Sequence, residues 1–258
     1  MNLKQRIRNK ELTLGSWITL GHPAIAEIMV QAGFDWLTVD MEHSAITLHQ
    51  AQQLIQTIDL AGGVPLVRVG SNDANQIKRV MDAGAHGVIV PLVNTKAEAE
   101  AAVQAVRYPP YGKRGVGLAR AQGYGFSFES YKQWVEKESI VIVQIEHIDA
   151  VNNLEEILSV DGVDSFIVGP YDLSGSLGAP GDFDHPNMKE ALKRIREVAG
   201  KMNKPKGYHV VAPQERLLLD KVEEGYTFLA FSLDTLFLGE HCRNSLSLIR
   251  RETEGATL

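Results

Sequence analysis

Short apolar runs alternate with amphipathic stretches along the whole chain, and that alternation predicts the fold. The runs are Leu14–Ile18, Trp36–Asp40, Pro65–Arg68, Gly87–Leu92, Ile140–Glu146, Ser165–Gly169, Gly207–Val211 and Thr227–Phe231. Helical periodicity covers Ala24–Ala32, Leu48–Leu60, Ala74–Ala83, Lys96–Val106, Glu129–Lys137, Met188–Gly200, Gln214–Glu224 and Thr235–Arg250. Strands that are apolar on both faces and separated by helices indicate a parallel sheet covered on both sides. Eight such units predict a closed (β/α)8 TIM barrel, with an open doubly wound sheet as the alternative. No linker or low-complexity segment interrupts residues 1–258, which read as a single barrel domain.

A barrel makes a further prediction, that chemistry collects where strands end. Trp17 stands at the end of the first run, Asp40 and His43 at the second, Arg68 at the third, Gln144 and Glu146 at the fifth, and Gly169, Pro170 and Asp172 at the sixth. Charged groups closing apolar strands are hard to explain by packing, because buried charges need partners or a metal.

Composition narrows the class. The 258 residues, 44% hydrophobic, are enough for one large core, and the formal charge of -6 argues against a nucleic-acid partner. The lone cysteine, Cys242, cannot form an internal disulfide, which suits a reducing cytoplasm and a small side chain in a terminal helix. The opening residues lack the apolar region of a signal peptide, and no apolar run has the length of a membrane span.

Glu146 and Gln144 are two apart on one strand and share a face. Asp172 lies in the next βα connection, so the two carboxylates can converge on an ion such as Mg2+ or Mn2+ that keeps waters and takes substrate oxygens. Solvated or ion-paired loop acids fit the same spacing. Asp40 and His43 read as a base system, or as a turn-capping Asp with a surface His. Glu42 takes a supporting role. Arg68 fits a carboxylate or a developing enolate, or a salt bridge across the mouth. The turn Gly169–Ser174 offers backbone N–H groups to a carboxylate, a weak signal by itself. No lysine closes a strand, since Lys206 stands at the start of the seventh, so Schiff-base chemistry lacks a nucleophile and carbanion chemistry calls for a metal.

Taken together, Gly33–His43, Val67–Asp73, Arg107–Gly117, Val143–Glu146 and Gly162–Ser174 resemble the HpcH/HpaI family of class II, metal-dependent pyruvate aldolases over nearly the whole chain. The resemblance implies a barrel of the phosphoenolpyruvate/pyruvate type, with the terminal helix from Thr235 exchanged between subunits of a hexamer (a trimer of dimers). It implies Glu146 and Asp172 as ligands of Mg2+, Mn2+ or Co2+, and Arg68 on the keto oxygen. His43 with Asp40 becomes the base system, Gln144 lies near the 2-oxo acid, and backbone amides around Tyr171 and Asp172 meet its carboxylate. Trp17 becomes a pocket wall, with Gly169 and Pro170 beside the substrate, and Asp82 reaches His43 from a neighbouring subunit. Tyr171 departs from the family's usual small residue. Arg120 binds an acidic acceptor or braces its loop.

The function so implied is retro-aldol cleavage of a 4-hydroxy-2-oxo acid, of the 2-keto-3-deoxy sugar acid or 4-hydroxy-2-oxoheptanedioate type, to pyruvate and an aldehyde. A citryl- or malyl-CoA type lyase and a non-catalytic 2-oxo acid binding barrel are the alternatives. The aldehyde, the metal and the stereochemistry are left open.

Overall fold

The computed structural model describes residues 1–255; the last three residues of the expected 1–258 span lie outside the described residues. Eight strands, β1 (Thr13–Ile18), β2 (Trp36–Asp40), β3 (Val64–Arg68), β4 (Gly87–Val90), β5 (Ile140–Ile145), β6 (Ser165–Val168), β7 (Lys206–Val210) and β8 (Phe228–Leu233), close in sequence order into a barrel, every pair parallel. The open-sheet alternative is thereby excluded.

The expected helices are α2 (Pro23–Gln31), α3 (Leu48–Leu60), α4 (Ala74–Asp82), α5 (Lys96–Val106), α6 (Phe128–Glu138), α10 (Pro186–Lys201), α11 (Glu215–Glu223) and α12 (Asp234–Gly255). Local chemistry starts them sharply. Thr47 and Thr95 form capping boxes with Gln50 and Glu98, and Asp73 accepts the Gln76 N–H at 2.6 Å.

Four short helices lie outside the sequence expectation: α1 (Leu3–Arg8), α7 (Ile148–Asn152), α8 (Leu154–Leu158) and α9 (Pro170–Ser176). Helices this short are marginal alone and depend on what they pack against. In α1 a capping box between Asn2 and Gln5 fixes the first turn, and Leu3 and Ile7, one turn apart, point into the bottom of the barrel.

Two apolar layers result. Between strands and helices runs a continuous shell that includes Leu37, Val39, Val67, Val143 and Val168. Inside the barrel a second cluster joins Leu3 and Ile7 to Trp36, Leu66, Ile140, Ile142, Ile167 and Phe228. Trp36 stacks on Phe228 with ring centres 4.3 Å apart. Gly15 makes room for that stack, since a Cβ there would lie 2.0 Å from the Trp36 ring. The lower barrel is therefore a filled plug, and open chemistry is confined to the upper end.

Beside the plug, Lys4 and Asp164 form a buried ion pair at 3.1 Å. Lys4 also donates to the Ser139 carbonyl, and Asp164 accepts from Val141 N–H and Arg8. Among the described residues no helix is long and apolar enough to cross a membrane.

Candidate active site

Neighbouring strands bring Asp40 and Arg68 together, because their Cα atoms pair in register at the upper ends of β2 and β3. Arg68 donates Nε–H to Asp40 Oδ1 at 2.9 Å and Nη2–H to Oδ2 at 2.6 Å, a planar two-bond contact. Asp40 Oδ1 also accepts the backbone N–H groups of Glu42 (3.0 Å) and His43 (3.3 Å). Burial pushes the Asp40 carboxyl up, but Arg68 and the two backbone donors outweigh it and hold the group below its ordinary range.

Asp40 thus holds the turn that carries His43 and contacts that residue through its main chain. The charged neighbour of the imidazole is Glu42, with His43 Nε2 3.8 Å from its Oε2, and the ring is largely exposed at the rim. Arg68 Nη1 lies 3.3 Å from the same Glu42 oxygen. Burial raises the Glu42 carboxyl to about 7; the charges of Glu146, Asp40 and Asp172 add to the rise, and Arg68 opposes it. Glu42 thus touches both His43 and Arg68.

On the opposite wall Glu146 is buried just past the end of β5. Its Oε1 accepts the Leu92 N–H at 2.7 Å, and Oε2 accepts from Gln144 Nε2. Leu92 was expected to end the fourth strand; it lies beyond β4 in a left-handed conformation, φ 52°, which aims its amide at the carboxylate. Burial raises the Glu146 carboxyl, and the nearby Asp172 charge raises it further. Gly169 leaves space here, since a Cβ would fall 2.9 Å from Glu146 Oε2 and 3.0 Å from Gln144 Nε2.

The Gly169–Ser174 segment, expected as a loop, is the start of α9. Gly169 caps it, Pro170 opens it, and Asp172 stands exposed in its first turn. The Tyr171 ring packs edge-on against Phe183 at 5.1 Å. Trp17, buried at the end of β1, lies under the Arg68 guanidinium, 4.5 Å from its ring centre.

A divalent cation is chemically compatible with this cradle. Gln144 Oε1 is buried without a hydrogen-bond partner, and Glu146 is a desolvated carboxylate facing a second acid. Among the described residues no group of three or more His, Cys, Asp or Glu side chains could hold a metal ion. Two carboxylates give a partial shell, as for ions that keep water and substrate oxygens.

Two expected residues stand elsewhere. Asp82 ends α4 at the lower end of the barrel, where Arg114 (2.5 Å) and Gln122 (3.0 Å) hold it. Arg120 braces the same region, donating to Asp59 at 2.5 Å and to the Ala83 carbonyl at 3.4 Å. One inward residue escaped the sequence reading. His209 on β7 lies with its ring centre 5.2 Å from that of Trp17. The signal that picked out Gln144, a polar side chain on the inner face near a strand end, was available for it.

Comparison with known proteins identifies the family. The HpcH/HpaI aldolase/citrate lyase model matches residues 13–240, and the chain belongs to that family. It is 37% identical over 236 residues to the hydroxypyruvate/pyruvate aldolase of Sagittula stellata, covering 91% of this chain and 92% of that one. It is 34% identical over 258 residues to the 2-keto-3-deoxy-L-rhamnonate aldolase of Escherichia coli K12, covering 98% and 94%. Among solved structures, an HpcH/HpaI aldolase/citrate lyase family protein from Burkholderia cenocepacia superposes with a TM-score of 0.91 at 34% identity, covering 96% of this chain and 98% of that one. The HpcH/HpaI aldolase from Desulfitobacterium hafniense gives 0.89 at 30%, covering 97% of each. The chain is accordingly an enzyme of the carbon–carbon lyase class.

Proposed function

We propose that this chain cleaves a 4-hydroxy-2-oxo acid reversibly to pyruvate and an aldehyde, with Glu146 and Asp172 holding a divalent metal ion. The substrate class follows the names of the two relatives. The observation that carries the reading is the Arg68 guanidinium, fixed by Asp40 and Glu42 above Trp17 and facing a buried carboxylate cradle.

A bound Mg2+, Mn2+ or Co2+ would supply Lewis-acid polarisation of the 2-oxo group. Arg68 supplies fixed positive charge where the C2 oxygen gains negative charge as the C3–C4 bond breaks. Its bonds to Asp40 remove the need to reorient during the reaction. His43, at the rim, removes the C4 hydroxyl proton, with Glu42 beside its Nε2. Asp40 positions both by holding the guanidinium and the His43 backbone. The N–H groups of Tyr171 and Asp172, in the first turn of α9, meet the substrate carboxylate. Gln144, Gly169 and Pro170 line the same end, and Trp17 forms the wall.

The protein works as a homo-oligomer in this reading, a hexamer in the cytoplasm with α12 exchanged between subunits. Leu238, Leu246, Leu248 and Ile249 are exposed on α12, whose main contacts are with β1 and β8 and not with flanking helices. A neighbouring copy is also the source of Asp82 near His43. Sedimentation at micromolar concentration distinguishes six copies from one.

The deciding experiment is a retro-aldol screen of 4-hydroxy-2-oxo acids, reading pyruvate release after chelation and re-addition of each metal. Release with one or more acids, lost on chelation and restored by metal, is the expected result. Full activity of the chelated enzyme sinks the metal assignment, and activity on CoA esters alone moves the enzyme to the CoA-lyase branch.

A further inference from the structure

Around the barrel, α2, α3, α4 and α5 pack side by side. The pattern breaks between α10 and α11. α10 leans onto α7 and α8, α11 rests on β7, and the two helices have at most slight contact with each other. Between them opens a cleft of about 470 Å³, inside the range of about 300–1,000 Å³ usual for small-molecule sites. Tyr208 and Val210 line it from β7, and both belong to the shell under the helices. The cleft thus lies against the outer face of that strand.

Each helix runs down from the upper end of the barrel, so its early residues stand above its late ones. The upper part of the cleft is apolar and open. Tyr171, Phe183 and Leu217 line it there, 52%, 38% and 42% exposed, with Leu192 and Val210 buried below them. The lower part is charged. One oxygen of Glu224 accepts from Lys221 Nζ at 2.7 Å, and the other accepts from Arg196 Nη1 at 2.9 Å. Lys206 brings a third cation, donating to the Glu224 carbonyl at 3.2 Å. Burial, with Arg196 nearby, lowers the Lys206 ammonium below its ordinary value. The other acids of the cleft are matched separately, Asp184 by Lys189 at 2.8 Å and Asp220 by Arg216 at 2.6 Å. Three cations around one carboxylate leave the lower part with an excess of positive charge.

These cations have donors to spare. An ammonium carries three N–H groups and a guanidinium five. Lys221 uses one on Glu224; Arg196 uses one there and has the Tyr226 hydroxyl near it. The Lys221 ammonium is also held 4.7 Å from the centre of the Tyr208 ring, which fixes its charge against the wall of the cleft. Two cations that share one carboxylate can share a second without displacing the first.

We propose that the cleft between α10 and α11 binds a small organic monocarboxylate with an apolar body, its carboxylate on Lys221 and Arg196 and its body against Leu192, Val210 and Leu217. The charge excess selects against cations, and the apolar upper part selects against small hydrophilic acids. Pro170 and Tyr171 border the upper end, so an occupant touches the helix whose first turn carries Asp172.

Phenylacetate, 2-phenylethanol and acetate test the two halves of the claim, since the alcohol keeps the body and acetate keeps the charge. Binding to the full-length, metal-loaded protein is read by calorimetry and by saturation-transfer NMR on the ring protons. Phenylacetate is expected to bind at least about ten-fold more tightly than either of the others. Lys221→Met keeps most of the stem, removes the charge and should weaken phenylacetate about ten-fold while leaving 2-phenylethanol unchanged. Saturating pyruvate should leave phenylacetate bound. No binding of phenylacetate at millimolar concentration, equal binding of acid and alcohol, an unchanged affinity in folded Lys221→Met, or displacement by pyruvate overturns the site. If Lys221→Met does not fold, Arg196→Gln carries the same comparison with the same outcomes. None of these readings requires turnover, so loss of the aldolase reading leaves the test intact.

Discussion

The two ends of the barrel solve the same problem in opposite ways. Both bury charge. At the lower end Lys4 and Asp164 face each other, and a carbonyl, a backbone N–H and Arg8 complete the set. At the upper end Asp40 and Arg68 are as well matched, but the groups around them are not. Gln144 Oε1 and Trp17 Nε1 are buried without hydrogen-bond partners, Glu42 Oε2 is held by ion contacts alone, and Glu146 and Glu42 are both pushed up by burial and by neighbouring acids. Unpaired buried polar groups cost stability. At the upper end such atoms share one cleft with two desolvated acids, and that combination marks where binding energy is held for a ligand.

Substitutions at each end test that contrast. The largest effect is expected from Glu146→Gln, with kcat/KM falling roughly a thousand-fold or more while the melting temperature stays at or above that of wild type. Steady-state kinetics beside a thermal melt checks both halves, and a large drop in melting temperature would place Glu146 in the structural set. Lys4→Ala should do the reverse. It removes the buried partner of Asp164 and leaves that carboxylate with Arg8 and the Val141 N–H alone, at a cost of about 3 kcal/mol in denaturant unfolding, with kcat per folded molecule retained.

Arg68→Ala should lower kcat/KM about a hundred-fold, more than it weakens metal binding measured by calorimetry. The smallest effect concerns the lower-end loop. His86 and Arg120 hold the Asp59 carboxyl at about 2, below its ordinary 3.8. The lowered value means the contact is fully present above about pH 4 and is lost as pH falls through 2. Hydrogen exchange across residues 112–127 should rise over that window, and Asp59→Asn should flatten the rise.

The strands were legible because each is a short apolar run between helical stretches, and bounds such as Trp36–Asp40 and Leu48–Leu60 hold to the residue. The (β/α)8 order followed from counting them. What escaped were elements whose stability comes from contacts distant in sequence. Leu3 and Ile7 look like stray apolar residues in a charged opening until the barrel gives them a floor to seal. α9 hides behind Gly169, Pro170, Gly175 and Gly178, which read as a turn.

In the candidate site, Asp40, Arg68, Gln144 and Glu146 stand out in the sequence by their places at strand ends, and the structure pairs Asp40 with Arg68 and Gln144 with Glu146. The partner of the His43 ring was not readable, because Asp40 is three residues away on either account. Only the register of β2 with β3 shows that its oxygens are taken by Arg68. His209 was missed because one polar letter within Gly207–Val211 looks like a tolerated exception until Ser232 is seen turning a carbonyl toward it.

The plug formed by α1, Trp36 and Phe228 has a consequence for the order of events. A barrel filled from below is a room with one door. Whatever lodges at its floor must arrive before, and depart after, whatever sits at the threshold. With the donor at the level of Glu146, and His43 at the rim, the aldehyde is the last guest in and the first out. Product inhibition patterns should carry that sequence: the 2-oxo acid competes for the empty room, and the aldehyde competes only for one already occupied.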